Sequence, residues 1–408
     1  MHTKISGSNL YKIFGGDPAE ALTLLKSGRT KDEIYAATGQ TVGVDDVSFS
    51  VAEGEIFVVM GLSGSGKSTL VRMINGLIKP SAGSILIDGI DVAACSDDEL
   101  RRVRREKVAM VFQHFALFPH KTVAENVAFG LKIRGVKPSE RRERAQAALE
   151  QVGLAARADS YPDELSGGMQ QRVGLARGLA SDPETLLWDE PFSALDPLIR
   201  GDMQQELLEL QRTLKKTIVF ITHDLTEALT LGSTIAIMRT GAVVQPGTAQ
   251  EIVGNPADDY VAAFTRDIDR SLVFTAESVA RPRETLPIET TDARTALSRM
   301  EKLGVNALHV TENGRLAGIV TWRSASAAIR KGTELRQAVN RDFPTAAPDA
   351  RLVDLYPLAQ EGLPIALTDG NGRLVGVVRP QALFARLARE EAGDETKGET
   401  KGETKGET

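Results

Sequence analysis

Cysteine and long apolar segments are the clearest absences from this sequence. Cys95 is the only cysteine among 408 residues, which excludes an internal disulfide and is typical of a protein from a reducing compartment. The apolar runs, such as IFVVM at 56–60, are far shorter than the roughly 20 residues of a membrane-spanning helix. No basic segment followed by an apolar one stands at the N-terminus. We therefore expect neither a transmembrane segment nor a signal peptide.

A strong excess of one charge is also missing. Lys and Arg number 49 against 55 Asp and Glu, which gives a formal net charge of −6. Such a mildly acidic chain argues against bulk electrostatic binding to nucleic acid. The basic clusters at 101–107 and 141–144 have acidic neighbours, so we interpret them as solvated helix faces. With 42% hydrophobic residues, the chain is long enough for two or three domains with cores of their own.

Two short helices are predicted between residues 17 and 39. Asp17-Pro18 offers an N-cap with proline at the first helical position. Thr30 and Glu33 have the spacing of a capping box, and Gly39 is suited to end the second helix.

Strand patterns follow, and helical patterns separate several of them. Residues 46–51 alternate between polar and apolar side chains, as a half-buried strand does. Continuous apolar runs are typical of buried parallel strands, and they occur at 56–60, 108–112, 185–189, 217–222 and 234–238. Strands that alternate with helices indicate an α/β fold whose sheet is mostly parallel and covered on both faces.

The chain changes character after about residue 268. We interpret the proline-containing segment at 280–295 as a connector. Beyond it, 307–321 and 364–379 resemble each other: each has a strand, a glycine-containing turn, Gly-Arg-Leu and a second strand with an internal glycine. This repetition predicts two tandem modules of a smaller α/β unit. The KGET repeats at the end contain no aliphatic or aromatic side chain, so we expect disorder there.

One segment predicts a phosphate site. GLSGSGKST at 61–69 matches G-x-x-x-x-G-K-[ST] between a buried strand and a helical pattern, a context that disfavours a flexible loop with a chance lysine. Backbone N–H groups of such a loop wrap phosphates, Lys67 reaches the β- and γ-phosphates, and Ser68 can hold Mg²⁺. The candidate nucleotide-binding residues are Gly61, Leu62, Ser63, Gly64, Ser65, Gly66, Lys67, Ser68 and Thr69.

Polar residues end three of the buried runs. Asp189 and Glu190 follow the strand at 185–189, at the sheet edge where α/β proteins bind ligands. Asp189 is placed to support Mg²⁺, and Glu190 is the candidate base that polarises water. An acid pair there is often only a helix N-cap, but the phosphate loop favours the catalytic interpretation. Gln113 and His223 end two further strands and are candidates for contacts to metal, water or a γ-phosphate, unless they are simply surface groups.

A second glycine-rich turn occurs about a hundred residues after the first. Ser166, Gly167 and Gly168 open a helical pattern whose N-terminal N–H groups suit an anion, but no lysine or acid accompanies them. The alternative is an ordinary capping turn. As a ligand site, this turn is half a site and needs a partner chain.

Taken in order, these elements resemble the ATP-binding cassette family, the ATPases that drive ABC transporters. The resemblance covers roughly residues 40–265 and assigns Walker A to 61–69, the Q-loop to Gln113, the signature to 165–172, Walker B to 185–190, the D-loop to 193–196 and the switch histidine to His223. It implies a P-loop NTPase cassette with a mixed sheet and a helical subdomain, with ATP and Mg²⁺ as cofactors. It also implies a head-to-tail homodimer in which the signature of one copy covers the γ-phosphate held by the other.

The family resemblance adds further site residues. It implies nucleotide contacts by Gln171 and Asp196, and adenine stacking on Phe14, with Tyr11 as the alternative. The implied Mg²⁺ ligands are Ser68, Gln113 and Asp189.

Several segments are similar to the glycine betaine/proline ATP-binding subunits of osmoprotectant importers, and the C-terminal repeats resemble CBS modules. The similar segments are 11–15, 111–130, 160–169 and 192–204. This branch implies a peripheral subunit on the cytoplasmic face of the inner membrane, bound to an integral permease and, through it, to a substrate-binding protein. The expected divisions are a helical extension at 1–40, the ATPase domain at 41–267 with a helical subdomain at about 115–180, a CBS domain at 268–392 and a tail at 393–408.

The regulatory ligand stays open at this level. CBS pairs often hold adenosine with a Thr and an Asp, whereas this chain has Thr321 with Ser324 in the first repeat and Arg379 without an acid in the second. We therefore hypothesise that the module senses ionic strength or membrane charge through Arg330, Lys331 and Arg336. A merely solubilising face is the alternative.

Three other functions compete with this interpretation. An importer for a different small solute would have the same ATPase features. A soluble cassette ATPase acting on nucleic acid usually has two cassettes or zinc-binding cysteines. A regulatory nucleotide-binding module without turnover would not need Lys67, Glu190 and His223 together.

Overall fold

The computed structural model describes residues 2–112, 116–193, 195–282 and 284–387, with the backbone alone for 384–387. Gln113 and the tail at 393–408 lie outside the described residues. The chain divides into two compact units, Met1–Asp267 and Ile268–Thr408.

Strands of the first unit form two sheets. In chain order they are β1 Thr3–Phe14, β2 Thr41–Ala52, β3 Ile56–Met60, β4 Ala82–Ile87, β5 Ile90–Asp91, β6 Val108–Val111, β7 Thr185–Asp189, β8 Thr217–Thr222, β9 Thr234–Arg239 and β10 Ala242–Gly247. Among the described residues one sheet has the order β10-β9-β3-β8-β7-β6 and the other the order β2-β1-β4-β5.

Helices cover the six-stranded sheet and build a separate helical segment between β6 and β7. They are α1 Ala19–Lys26, α2 Lys31–Thr38, α3 Lys67–Ile74, α4 Asp97–Glu106, α5 Val123–Val127, α6 Phe129–Ile133, α7 Pro138–Gln151, α8 Gly167–Leu179, α9 Pro197–Leu214, α10 Leu225–Leu231, α11 Ala249–Gly254 and α12 Asp259–Thr265. Short 3-10 turns occupy Ala155–Arg157 and Pro162–Glu164.

The five apolar runs of the sequence form five of the six strands of this sheet, with β6 at one edge. β3, β7 and β8 are buried at every position, and β3, β6, β7, β8 and β9 pair in parallel. These strands pack against helices and, within one shared core, also against β1, β2 and β4, so they can be apolar along their length. The prediction of a parallel core is confirmed, and only β10 is antiparallel within this sheet.

The second sheet was not predicted. Residues 46–51 belong to the longer β2, which pairs antiparallel with β1 rather than joining the parallel sheet. β1 escapes prediction because its pairing with β2 shifts register several times and Asn9 adopts a positive φ of 47°, so its alternation is broken. The first unit is therefore a mixed α/β structure.

The two helices predicted between 17 and 39 are confirmed as α1 and α2, inserted between β1 and β2. Thr30 and Glu33 form the capping box, and Gly39 ends α2 in the left-handed region at φ 67°. The start of α1 differs from the prediction, since the N-cap is Pro18 and not Asp17. The carboxylate of Asp17 still accepts a hydrogen bond from the Ala19 N–H, 3.1 Å away.

The second unit contains the same arrangement twice. Its elements are a 3-10 turn Arg270–Leu272, α13 Ala276–Val279, β11 Thr285–Pro287, α14 Ala293–Leu303, β12 Ala307–Glu312, β13 Arg315–Thr321, α15 Trp322–Lys331, a 3-10 turn Leu335–Ala338, β14 Thr345–Ala346, α16 Leu352–Ala359, β15 Ile365–Thr368, β16 Leu374–Val378 and α17 Pro380–Leu387. In each half a short strand pairs in parallel with the first strand of an antiparallel pair.

The internal repeat of the sequence is thus a repeat of structure. Gly318 lies opposite Val310 in the first half, and Gly376 lies opposite Leu367 in the second. The predicted connector at 280–295 is wrong, because this segment contains β11 and the start of α14 and lies within the second unit. Its second proline, Pro287, is the last residue of a three-residue edge strand, a position where proline is tolerated.

Candidate functional site: a phosphate loop with an acid–histidine pair

The loop between β3 and α3 is shaped for close backbone approach. Gly66 has a φ of 101°, and a Cβ at this position would lie 2.6 Å from the Gly43 carbonyl oxygen, so no side chain fits there. Helix α3 begins at Lys67, the next residue. Its first N–H groups and the loop therefore provide anion-binding donors at one place.

Lys67 is held under this loop. Its ammonium donates to the Gly61 and Leu62 carbonyls at 2.9 and 3.1 Å and lies 3.8 Å from the Glu190 carboxylate. The side chain is buried, and burial lowers its pKa, while the charges of Glu190 and Asp189 act in the opposite direction. A buried cation with only carbonyl partners and one nearby acid is well placed to gain from a phosphate.

Ser68 and Asp189 face each other across the loop and the end of β7. The Ser68 hydroxyl donates to the Asp189 carboxylate at 3.1 Å. Burial raises the pKa of Asp189, and this hydrogen bond partly offsets the effect. Two oxygen ligands on rigid elements suit Mg²⁺, which prefers oxygen. The third predicted ligand, Gln113, lies outside the described residues.

Glu190 and His223 form a pair at neighbouring strand ends. The Glu190 carboxylate lies 3.1 Å from His223 Nδ1, and the Glu190 N–H donates to the Ile221 carbonyl of β8 at 3.1 Å. The His223 side chain is 56% exposed and the Glu190 side chain 18%. An acid shielded from bulk water beside an exposed imidazole can orient a water molecule and a terminal phosphate at the same place.

The signature turn, defined here as Ser166, Gly167 and Gly168, opens the 13-residue helix α8. Ser166 is the N-cap and accepts a hydrogen bond from the Met169 N–H at 3.4 Å. A Cβ on Gly168 would lie 2.6 Å from Ile199, so the turn is packed closely against α9. No hydrogen bond or ion pair in the described part of the chain joins this turn to the phosphate loop. Ser166 and Gly167 are exposed.

Two residues of the predicted site have other surroundings. Gln171 is 1% exposed, and neither polar atom of its amide has a partner in the described structure. Because it faces the interior of its own chain, its predicted contact with a nucleotide is not supported. Asp196 caps α9 by accepting a hydrogen bond from the Ile199 N–H at 3.1 Å, but it remains exposed.

Phe14 lies at the end of β1 beside the phosphate loop. Its ring contacts Gly43, whose carbonyl lies against Gly66, and the Lys12 ammonium lies 5.2 Å above the ring centre. The side chain is 39% exposed, which leaves a surface for stacking. The alternative, Tyr11, has its ring covered by the Lys26 ammonium at 5.5 Å.

Lys31, in the inserted hairpin of helices α1 and α2, was not predicted as part of the site. Its ammonium donates to the Thr240 carbonyl and, at 3.5 Å, to the Val42 carbonyl. Gly241, which follows Thr240, donates its N–H to the Ser65 carbonyl of the phosphate loop at 2.9 Å. No sequence signal marks this lysine, since both of its partners are backbone carbonyls and one of them, Thr240, lies 209 residues away in the chain.

A cavity of about 490 Å³ opens within the second unit. Its wall includes Thr321, whose hydroxyl caps α15 in a capping box with Ser324, and the guanidinium-bearing residues Arg323 and Arg379. His309 also lines the cavity; it is 1% exposed, and its Nε2 has no partner among the described residues. Burial lowers the pKa of His309 to about 4.

A phosphate loop, an oxygen pair suited to Mg²⁺ and an acid–histidine pair on one edge of a parallel sheet define a P-loop ATPase. Among the described residues no helix combines the length and apolarity that crossing a bilayer requires. The comparisons with known proteins identify the family within this class.

The family model described as ABC transporter matches residues 44–193, and the CBS domain model matches residues 276–331. The glycine betaine transport ATP-binding protein OpuAA of Bacillus subtilis is 48% identical over 94% of this chain and 92% of its own length. The glycine betaine/proline betaine transport ATP-binding protein ProV of Escherichia coli is 49% identical over 96% of this chain and 99% of its own.

Among solved structures, a dimeric ATP-binding cassette in a post-hydrolysis state with ADP and phosphate is 34% identical. It covers 60% of this chain and 98% of its own, with a TM-score of 0.50. The chain belongs to the ABC transporter family of ATP-binding proteins, and it is an ATPase of that family.

Proposed function

We propose that this ATPase drives the import of an osmoprotectant of the glycine betaine class through a membrane permease. Two copies would enclose each ATP between the phosphate loop of one and the signature turn of the other. The observation that carries the proposal is the cluster built around Glu190, whose carboxylate lies 3.8 Å from Lys67 and 3.1 Å from His223, residues of sequence-distant elements.

The chemistry proposed for the site is attack of a water oxygen on the terminal phosphorus of ATP. The new P–O bond replaces the bond to the β-phosphate oxygen, a proton of the water passes to Glu190, and ADP and phosphate leave. Lys67 would neutralise phosphate charge and exchange its carbonyl partners for phosphate oxygens. Glu190, only 18% exposed, would orient and polarise the water, and His223 would donate to the phosphate from the solvent side. Ser68 and Asp189 would hold Mg²⁺, which would supply neutralisation of phosphate charge.

The second copy is proposed because the signature turn is incomplete by itself. It offers exposed backbone donors at the start of α8 but no cation, whereas the phosphate loop has the cation but an open face. Apolar surface lies next to this turn: Leu198 is 83% exposed and Ile199 37%. A second copy placed head to tail would cover this surface and bring a donor set to the γ-phosphate.

Replacement of Glu190 by Gln tests the proposed base. Because the amide keeps the shape but is a poor base, we expect phosphate release to fall by at least about 100-fold, while ATP binding and the ATP-bound dimer persist. Phosphate release and light scattering measure the two effects. Glu209→Gln, which changes an exposed acid on α9, is the control. Turnover at the unaltered rate in Glu190→Gln would remove Glu190 from this role.

The transported solute is proposed from the relatives, whose names include glycine betaine and proline betaine. The test is co-purification from membranes with the permease, reconstitution into vesicles, and ATPase measurement with glycine betaine, proline or choline. Stimulation by one of them supports the proposal. Stimulation only by an unrelated solute would keep the importer and change its substrate, whereas the absence of any membrane partner would favour a soluble cassette ATPase.

We also propose a role for each segment of the chain. The predicted separate extension at 1–40 is not supported, because its β1 pairs with β2 and β4 within the first unit. Residues 1–267 would form the ATPase domain, with its helical subdomain at about 115–180, and 268–392 a tandem CBS domain. The topology of the second half supports the tandem, because β14, β15 and β16 pair as β11, β12 and β13 do.

We propose that the CBS domain regulates the ATPase in response to ionic strength. Arg330 and Lys331 are exposed at the end of α15. Arg336 is 53% exposed and paired with Glu312 at 2.6 Å, an ion pair that salt weakens by screening. Ser324 is engaged in the α15 capping box, so the first repeat also lacks a free polar group at the position where CBS pairs that hold adenosine have an acid. A reconstituted transporter lacking 270–408 should lose its salt response; a retained response would contradict the proposal.

A further inference from the structure

Arg200, in the first turn of α9, adds a second side-chain link between the loops that follow β7 and β8, beside the Glu190–His223 pair. Its guanidinium donates to the Leu195 carbonyl at 3.2 Å, within the segment that leads from Glu190 to α9. It also donates to the Asp224 carboxylate at 3.3 Å, directly after His223. One side chain thus contacts the loops that follow β7 and β8.

The loop that carries His223 is fixed on its other side by Glu227. This carboxylate is 3% exposed, accepts a hydrogen bond from the Thr222 hydroxyl at 2.6 Å and lies 3.7 Å from Arg200 Nε. Thr222 in turn accepts the Asp224 N–H at 3.0 Å. His223 therefore sits between Thr222, which contacts Glu227, and Asp224, which contacts Arg200 and also caps α10.

Geometry places Arg200 close to the reacting groups without direct contact with them. A small cavity is lined by Arg200 together with Glu190 and His223. Within the described residues, the hydrogen bonds and ion pairs of Arg200 go to Leu195, Asp224 and Glu227 and do not reach the phosphate loop. A change at Arg200 should accordingly affect the placement of His223 against Glu190 more than the binding of phosphate.

A second copy would also contact the start of α9. Leu198 and Ile199 are exposed apolar residues that immediately precede Arg200. Asp196 caps the same turn. Contact with a partner at this surface would be transmitted to Arg200 through a single helical turn, because the turn moves as a unit.

We propose that Arg200 is a positioning residue that couples docking of a second copy at the start of α9 to the alignment of His223 with Glu190. The inference rests on the proposed two-copy ATPase cycle. Arg200 thus links assembly of the dimer to hydrolysis of ATP within each copy.

Substitution of Arg200 by Met separates this role from nucleotide binding. We expect kcat to fall about tenfold or more, since small misplacements of reacting groups are costly, while the Kd for ATP measured without turnover changes less than about twofold. Arg212→Met on the same helix is the control. A kcat for Arg200→Met within about twofold of the unaltered protein would overturn the proposal.

A double variant distinguishes positioning from simple charge compensation. In Arg200→Met the Glu227 carboxylate loses its counter-ion, and Arg200→Met/Glu227→Gln removes that charge. We expect the double variant to recover thermal stability but to stay slow, because the Leu195 and Asp224 contacts are still missing. Recovery of kcat would show that Arg200 acts only as a counter-ion and would overturn the inference. Absence of ATPase activity in the unaltered protein would instead refute the proposed function.

Discussion

Glu190 shows how a single residue is held for its role. Its backbone adopts a φ of 46°, a left-handed conformation that is uncommon and costly for a residue with a side chain. The strain persists because the Glu190 N–H bonds to β8 and its carbonyl accepts the Ser193 hydroxyl at 3.0 Å. This conformation turns the carboxylate towards both Lys67 and His223. The sequence predicted that Asp189 and Glu190 lie together at the end of β7. It did not predict that Asp189 faces Ser68 while Glu190 faces Lys67 and His223.

His309 is a second residue whose behaviour depends on its surroundings. One ring nitrogen bonds to the Pro364 carbonyl, and the ring packs edge-on against Phe343 with centroids 5.9 Å apart. Burial keeps the imidazole neutral and lowers its pKa to about 4. The unfolded chain would titrate near the ordinary value of about 6.5, so protonation at acid pH favours unfolding.

We therefore expect acid to destabilise the second unit through His309. The contribution is small above pH 6.5 and grows as the pH falls towards 4, where it reaches about 3 kcal/mol. Hydrogen exchange of β12 amides in the full chain, corrected for intrinsic rates, measures the loss. His309→Gln should make the pH dependence shallower and the exposed His120→Gln should not. Identical pH profiles for His309→Gln and the unaltered chain would contradict this assignment.

At the scale of elements, prediction succeeded where the local pattern is complete. Five continuous apolar runs became the parallel strands, and the Thr30–Glu33 spacing became a capping box. It failed for β1, whose irregular pairing hides its alternation, and for β11, which is only three residues long. The nucleotide contact that the family resemblance implied for Gln171 is not supported, because the sequence does not show which side of α8 faces the interior until the neighbouring helices are known.

The inserted hairpin α1–α2 has a structural link to the phosphate loop through Lys31. Burial lowers the pKa of Lys31, and the nearby Asp45 acts in the opposite direction. The Asp45 N–H donates to the Gly241 carbonyl at 2.9 Å. The turn at Thr240–Gly241 therefore contacts Lys31 on one side and Ser65 of the phosphate loop on the other. The hairpin therefore stabilises the rear of the phosphate loop as well as its own core of Ile13, Ala21, Ile34 and Val42.

Replacement of Lys31 by Met should weaken ATP binding. Loss of charge-assisted hydrogen bonds to two carbonyls would loosen the turn at Thr240–Gly241, and we expect KM for ATP to rise about three- to tenfold with a smaller change in kcat. Steady-state ATPase titration measures both. Arg29→Met removes only an exposed ion pair with Glu33 and serves as the control. A folded Lys31→Met variant with unchanged KM would show that the hairpin does not support the loop.

One copy of the whole molecule contains two different halves of an ATP site. The phosphate loop and the signature turn belong to separate elements, and both have open surfaces. A head-to-tail pair would make two complete sites from four halves. Monomers, verified by light scattering during turnover, should consequently hydrolyse ATP poorly.

Mixing of two inactive variants tests this arrangement. Lys67→Ala damages the phosphate-loop half and Ser166→Arg the signature half, so a mixed dimer retains one intact site. Random pairing of equal amounts should restore up to about a quarter of the normal number of sites. A mixture of Lys67→Ala and Glu190→Gln, which damage the same half, should restore nothing. Failure of the first mixture to regain activity, with dimers present, would contradict the shared site.

The amino-acid sequence by itself determined the phosphate loop, the buried strands, the capping boxes and the internal repeat. The first three depend on side chains a few residues apart, whose spacing sets backbone conformation directly, and the repeat is the same local pattern occurring twice. Tertiary structure alone decided that Gln171 is buried, that Arg336 is paired with Glu312, and that Lys31 and Arg200 contact the supports of the site. These features join residues far apart in the chain, and only the packing of sheets and helices brings such residues within hydrogen-bond distance.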